Sequence, residues 1–216
     1  GLKKIGLRVP AHKSAQVLLQ AFGKPVAAPS ANLSGQISPS TADHVVRGLG
    51  KDIEFVLDGG PCESGLESTI IDCTGKTASL IRPGGVTRDA IASALAEAGL
   101  DPAITIAKPL GDSCNPIAPG QLTSHYAPRA GLRLAAEIGQ LGEELIGFGA
   151  IPGAGELRLN LSPSGSLIEA AANLFSMLHA ADATNAANIA IAPIPNTGLG
   201  EAINDRLRRA AAPRPG

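Results

Sequence analysis

Aromatic side chains are nearly missing from this chain of 216 residues: 2% of positions, with no Trp, one Tyr and four Phe. A surface that stacks several unpaired bases needs more rings than that, which argues against a single-strand RNA platform. Charge of one sign is also lacking, since 18 basic residues stand against 19 acidic ones for a net charge of −1. A chain built mainly to coat phosphates is expected to be strongly basic, so only a small local basic patch remains compatible. No apolar run approaches the roughly 20 residues that span a bilayer, which predicts a soluble protein with no membrane partner. Three cysteines, Cys62, Cys73 and Cys114, are too widely spaced for a metal knuckle or a disulfide framework. They read as reduced thiols of a cytoplasmic protein, and the first residues do not read as a signal peptide.

What is present points to a folded enzyme-sized core. Hydrophobic residues make up 44% and charged residues 17%, too apolar for disorder and long enough for one large or two small domains. Two composition shifts divide the chain into residues 1–106, a Pro/Gly-rich linker at 107–131, and residues 132–216. In the first part, 14–23 reads as a helix stopped by Gly23, and 24–32 as a short strand ending in a polar turn. Ser38-Pro39 reads as a helix start, with Ser38 as cap and Pro39 in the first turn. Residues 55–60, 68–74 and 78–84 read as strands, and 86–99 as a helix capped by Thr87. In the last part, 143–150 and 188–194 read as buried strands. Residues 164–182 put Leu167, Ala171, Leu174, Phe175 and Leu178 on one helical face, and 198–212 is a closing helix. Alternating strands and helices predict two α/β units with right-handed crossovers.

Several small polar groups could carry chemistry. The turn around Ser30, Asn32 and Ser34 has no bulky neighbour, so a ligand could approach its backbone; it could equally be a plain polar turn. Ser68 and Thr69 emerge at a strand entrance, either to hold a small polar molecule or to cap the strand. Arg82, at a strand end braced by Pro83-Gly84, offers a planar fork to phosphate or carboxylate, or else a surface ion pair. His125-Tyr126 in the linker reads either as a lid over an adjacent pocket or as an anchor to the core. His12, His44 and His179 read as surface or helix-end residues. Asp205-Arg206-Leu207-Arg208-Arg209 reads as a solvated helix face, with RNA contact as the alternative. No spacing supports a protein-built metal site, a P-loop or a dinucleotide fingerprint.

Taken together, RVP (8–10), KPVAAPSANLSG (24–35), SPSTADHV (38–45), LDGGPCESGLESTIIDC (57–73), LIRPGGVT (80–87) and HYAP (125–128) resemble the Sua5/YrdC/YwlC family of threonylcarbamoyl-AMP synthases. The closing GLGEAINDRLRRAA (198–211) is similar to the end of that family's additional Sua5 domain. The resemblance implies the C-terminal portion of a twisted YrdC-like α/β domain over 1–106, followed by a small Rossmann-like α/β Sua5 domain over 132–216. It implies a nucleotidyltransferase that joins L-threonine, bicarbonate and ATP into threonylcarbamoyl-adenylate and pyrophosphate. A tRNA threonylcarbamoyl transferase then uses that product at position 37 of ANN-decoding tRNAs. By motif, Arg8, Ser30 and Ser68 would face threonine; Asn32, Ser40, Arg82 and His125 would face ATP or the adenylate; Tyr126 would belong to a lid. Ser40 stands where the family commonly has Thr, which keeps the hydroxyl. Mg2+ would be held largely by the ATP phosphates, and a labile carbamate gives a lid its purpose. Family members carry further residues ahead of the position of Gly1, including a lysine/arginine nucleotide-binding motif. Residues 1–216 alone are therefore expected to turn over little or not at all. Two other readings remain at this point: a carbamoyl-adenylate-forming relative, and a non-catalytic double-stranded RNA or tRNA-binding module.

Overall fold

A computed structural model describes residues 4–107, 124–151 and 158–214. It is a mixed α/β structure with two sheets and five helices among the described residues. Helix α1 (Lys13–Phe22) stops at Gly23, whose left-handed φ of 69° returns its amide to the Leu19 carbonyl. That conformation is cheap for glycine and ends the helix where the sequence predicts.

Helix α2 (Ala42–Leu49) corrects one expectation. Its cap is Thr41, whose side chain accepts from the His44 amide at 3.3 Å. Ser38 instead donates its hydroxyl to Glu67 Oε1 at 2.9 Å, a charge-assisted bond that outcompetes a local cap. The strands expected at 24–32 and 55–60 do not form either; both segments are extended or bent without ladder partners. Pro25 and Pro29 lack the amide a ladder needs. Phe55 and Leu57 are 89% and 66% exposed, so no neighbouring strand packs on them.

The first sheet is small. Strands β1 (Ile70–Asp72) and β2 (Ala78–Arg82) pair antiparallel, and β3 (Ile104–Ile106) pairs parallel to β2. Between them, α3 (Arg88–Glu97) starts at the Thr87 cap, as expected. The second sheet is wholly parallel, ordered β4-β7-β5-β6, from β4 (Gly131–Arg133), β5 (Glu143–Gly147), β6 (Leu159–Asn160) and β7 (Asn188–Ile191). Helices α4 (Leu167–Asp182) and α5 (Leu199–Ala211) cover it. Ser166 caps α4 by accepting from the Glu169 amide. The apolar stripe on α4 behaves as predicted, with Ala171, Leu174, Phe175 and Leu178 buried. They pack with Ile146, Ile189, Ile191 and Ile203, each large side chain contributing roughly 1.5–3 kcal/mol by leaving water.

That core does not stop at the second sheet. Ile37 and Leu66, from the first part, belong to the same buried cluster. Among the described residues two ion pairs cross between the parts: Arg206–Glu67 and Arg88–Glu201, each at 2.8 Å. The linker region falls largely outside the described residues, which resume at Ser124. No described helix is long and apolar enough to cross a membrane.

Candidate functional site

The site grows from the end of β2. Arg82 closes that strand at 7% exposure, braced by the Pro83-Gly84 turn. Its Nη2 donates to the Ser68 carbonyl at 2.8 Å and to Ser68 Oγ at 3.4 Å, and Nε donates to the same carbonyl at 3.3 Å. The guanidinium fork is therefore an internal clamp on the Ser68 turn. Gly84 permits this closeness: a Cβ there would lie 2.3 Å from the Glu67 carbonyl and 2.5 Å from the Thr69 amide nitrogen. Burial weakens the Arg82 cation and so does the charge of Arg206. Tyr126 and Glu67 act the other way, and Tyr126 also hydrogen-bonds to it.

Glu67 is the hub. One carboxylate oxygen accepts from Ser38 and the other from Arg206 Nε at 2.8 Å. Burial pushes its pKa up, yet the Arg206 charge and these bonds outweigh that and leave it below the ordinary carboxylate range. Above it lies Tyr126, 2% exposed, with a left-handed φ of 64°. Its ring packs 5.6 Å from Phe175, and the Arg206 guanidinium carbon lies 5.5 Å from its centroid. Burial and the Glu67 charge raise the phenol pKa, opposed by Arg206 and Arg82. His125 sits edge-on to Tyr126 at 4.1 Å. Burial lowers the His125 pKa, opposed by the Glu67 charge and helped by Arg209, Arg206 and Arg82.

The Asn32 turn reaches the same neighbourhood. Its Nδ2 donates to the Leu33 and Gln36 carbonyls. Next to it, Gln36 bridges Ala127 and the Ala127 amide donates to Gly35 O at 2.8 Å. Asn32 Oδ1, His125 Nδ1 and Arg206 Nη2 are buried without a hydrogen-bond partner among the described residues. Two potential acceptors and a cationic donor are thus left with bonding capacity where these loops meet, which suits a polar ligand.

The expected residues thus divide. Ser68, Arg82, Asn32, His125 and Tyr126 converge through the contacts above. Ser40 is buried nearby, its hydroxyl 3.2 Å from His44 Nδ1. Arg8 and Ser30 are exposed and join none of these contacts. Tyr126 is in the anchored arrangement rather than standing open over a cleft. Sequence reasoning missed Arg206, read as part of a solvated face but with a wholly buried side chain. Ala202, Ile203, Arg206 and Ala210 recur at helical spacing and are all buried, a pattern that places Arg206 on the core face. His44, in the first turn of α2, and His179, in the last turn of α4, are helix-end residues as expected, and what the sequence does not show is that they meet. Their rings stack at 3.9 Å between α2 and α4, and His179 Nε2 lies 3.2 Å from the Ser38 carbonyl.

Comparison with known proteins follows the same lines. The model of the Sua5/YciO/YrdC family, described as telomere recombination, matches residues 1–84, and that of the threonylcarbamoyl-AMP synthase C-terminal domain matches residues 86–212. Threonylcarbamoyl-AMP synthases of Bacillus subtilis and Pyrococcus abyssi are 36% and 34% identical over 99% of this chain. The chain spans 65% and 66% of the length of those two relatives. The crystal structure of P. abyssi Sua5 complexed with L-threonine superposes with a TM-score of 0.77 at 32% identity, covering 94% of this chain and 63% of that one. A variant of that protein with a His and the adjacent Tyr both replaced by Ala gives 0.76 at 30% identity, covering 94% and 62%. Because one of these family models spans more than half of its length, the chain belongs to the Sua5/YrdC family of threonylcarbamoyl-AMP synthases, in the form with the Sua5 C-terminal domain.

Proposed function

We propose that this chain supplies the greater part of an L-threonylcarbamoyladenylate synthase. The threonine amine takes up bicarbonate with loss of water, and a carbamate oxygen then attacks the α-phosphorus of ATP and expels pyrophosphate. The bond made is P–O to the carbamate, and the bond broken is the one to pyrophosphate. Such chemistry needs alignment and charge stabilisation more than a protein nucleophile. The observation that carries the reading is the junction of the Ser68 turn, Arg82, the Asn32 turn and His125-Tyr126, with Asn32 Oδ1 and His125 Nδ1 buried there without a hydrogen-bond partner among the described residues.

In this reading Ser68 serves the threonine side together with Arg8 and Ser30. Asn32, Ser40, Arg82 and His125 serve the nucleotide, and Tyr126 anchors a segment that closes over both. Mg2+ would be held largely by the ATP phosphates. The product passes to a tRNA threonylcarbamoyl transferase for position 37 of ANN-decoding tRNAs, in the cytoplasm.

The test is pyrophosphate release by the longest polypeptide the coding sequence encodes. Release should require threonine, bicarbonate and ATP together, whereas equal release without threonine rejects the proposal. Residues 1–216 alone should release little or none.

A further inference from the structure

Helix α5 belongs to the second sheet, yet it grips the candidate site at three points. Arg206 Nε donates to Glu67 at 2.8 Å, the Arg206 guanidinium lies against the Tyr126 ring, and the Arg209 carbonyl accepts from the His125 amide at 3.2 Å. Arg206 itself is held from behind, its Nη1 on Asp205 at 2.8 Å, while Arg209 Nε braces the same carboxylate. A cation with no solvent exposure is costly to desolvate unless it is paired, and a core-facing Leu would fill this helix position without that cost. What Arg206 adds is direction, because its planar guanidinium holds Glu67 through Nε while Nη1 is fixed on Asp205. The Glu67 carboxylate so fixed takes the Ser38 hydroxyl, and its backbone leads directly into the clamped Ser68 turn.

We propose that Arg206 is a positioning residue for this site: through Glu67 and Tyr126, the closing helix of the second sheet sets the geometry of the Ser68 turn and of the His125-Tyr126 step. The inference rests on the proposed synthase reading for its kinetic consequence, but its structural consequence stands apart from it. Arg206 acts on threonine through Glu67 and Ser68. Losing it should therefore raise the KM for threonine far more than it lowers kcat or raises the KM for ATP.

The sole tyrosine makes a second, independent readout available. With no Trp in the chain, the near-ultraviolet circular dichroism of the tyrosine band and the phenol titration report Tyr126. The charges that bear on that phenol are Glu67, Arg206, Arg82 and Asp205. Removing the Arg206 cation should move its titration to higher pH, and Glu67→Gln should move it lower.

The experiment compares Arg206→Met, Arg206→Lys, Glu67→Gln and the Arg206→Met/Glu67→Gln double variant in the longest encoded polypeptide. Arg88→Ala, which breaks the Arg88–Glu201 bridge between the parts, serves as the control for a purely structural loss. Expected are a threonine KM at least tenfold higher in Arg206→Met with kcat within threefold, partial rescue in Arg206→Lys, and a double variant little worse than either single one. Arg88→Ala should leave the threonine KM and the tyrosine signal unchanged. Equal effects of Arg206→Met and Arg88→Ala on the threonine KM overturn the inference, as does an additive double variant. Should Arg206→Met fail to fold, Glu67→Gln against Arg206→Lys decides by the same KM comparison. No threonine-dependent turnover in the unsubstituted polypeptide sinks the synthase reading and with it the kinetic half; an unmoved phenol titration in folded Arg206→Met overturns the role of Arg206 by itself.

Discussion

Acidification should loosen the junction between the two parts of the chain, and the stacked histidines give the size of the effect. Burial, with the neighbouring His179 and Arg47 charges, lowers the His44 pKa to about 4 from 6.5, against a small opposing pull from Asp43. Geometry gives the reason: the Ser40 amide donates to His44 Nδ1 at 3.3 Å, so that nitrogen is needed as an acceptor. His179 is displaced in the same direction, mainly by burial and by the Arg47 charge, despite its Ser38 bond and Asp182. A depressed value means that the unfolded chain takes up the proton first, so stability is lost as pH falls from the unfolded value toward the folded one. Between about pH 7.5 and pH 5 the His44 shift corresponds to about 2 kcal/mol by linkage, cut to about 1 kcal/mol because the ring is partly open to water. Urea unfolding at both pH values checks this with His44→Asn, which keeps an acceptor beside Ser40 and cannot titrate. The parent chain should lose about 1 kcal/mol more than the variant over that interval. Equal losses would refute the reasoning.

Two further substitutions test other parts of the structure. Leu174→Ala empties a position 1% exposed at the centre of α4 and should cost about 2–5 kcal/mol, read as a lower urea midpoint at an unchanged slope. An unchanged midpoint would contradict the packing described. Gly84→Ala sets a methyl against the backbone of Glu67 and Thr69, where neither side can yield as a flexible side chain could. It should cost about 1–3 kcal/mol and alter the Tyr126 near-ultraviolet signal; a parent-like signal would show that the turn is not held as tightly as the geometry demands.

The sequence makes the second sheet far more legible than the first. Leu174, Phe175 and Leu178 announce α4 by period, and the unbroken apolar run at 188–194 announces a strand buried on both faces. Caps at Thr87 and the stop at Gly23 are local chemistry, so they too can be read from neighbouring residues. The failures lie where partners distant in sequence decide. Ser38 looks like a cap until Glu67, 29 residues away, takes its hydroxyl. Arg206 looks like surface charge until Glu67 from the other part buries it. Residues 55–60 have a strand's composition but no neighbour to pair with, and composition alone cannot supply one. The motifs pick out Ser68, Arg82, Asn32 and His125-Tyr126, which meet, but also Arg8 and Ser30, which stand apart, and they give no sign of Glu67 with Arg206 or His44 with His179.

The strand order of the second sheet has a bearing on biosynthesis. β7 is made after β4, β5 and β6, yet it lies inside the sheet between β4 and β5. As the ribosome extends the chain, β4 emerges more than fifty residues ahead of the strand it zips against, so the sheet cannot grow edge by edge during translation. A nascent chain halted before Asn188 would expose an orphan β4 and a bare edge on β5, and α5, the helix that braces Glu67 and His125, would not yet exist. Quality control would meet such a product as an open template for aggregation.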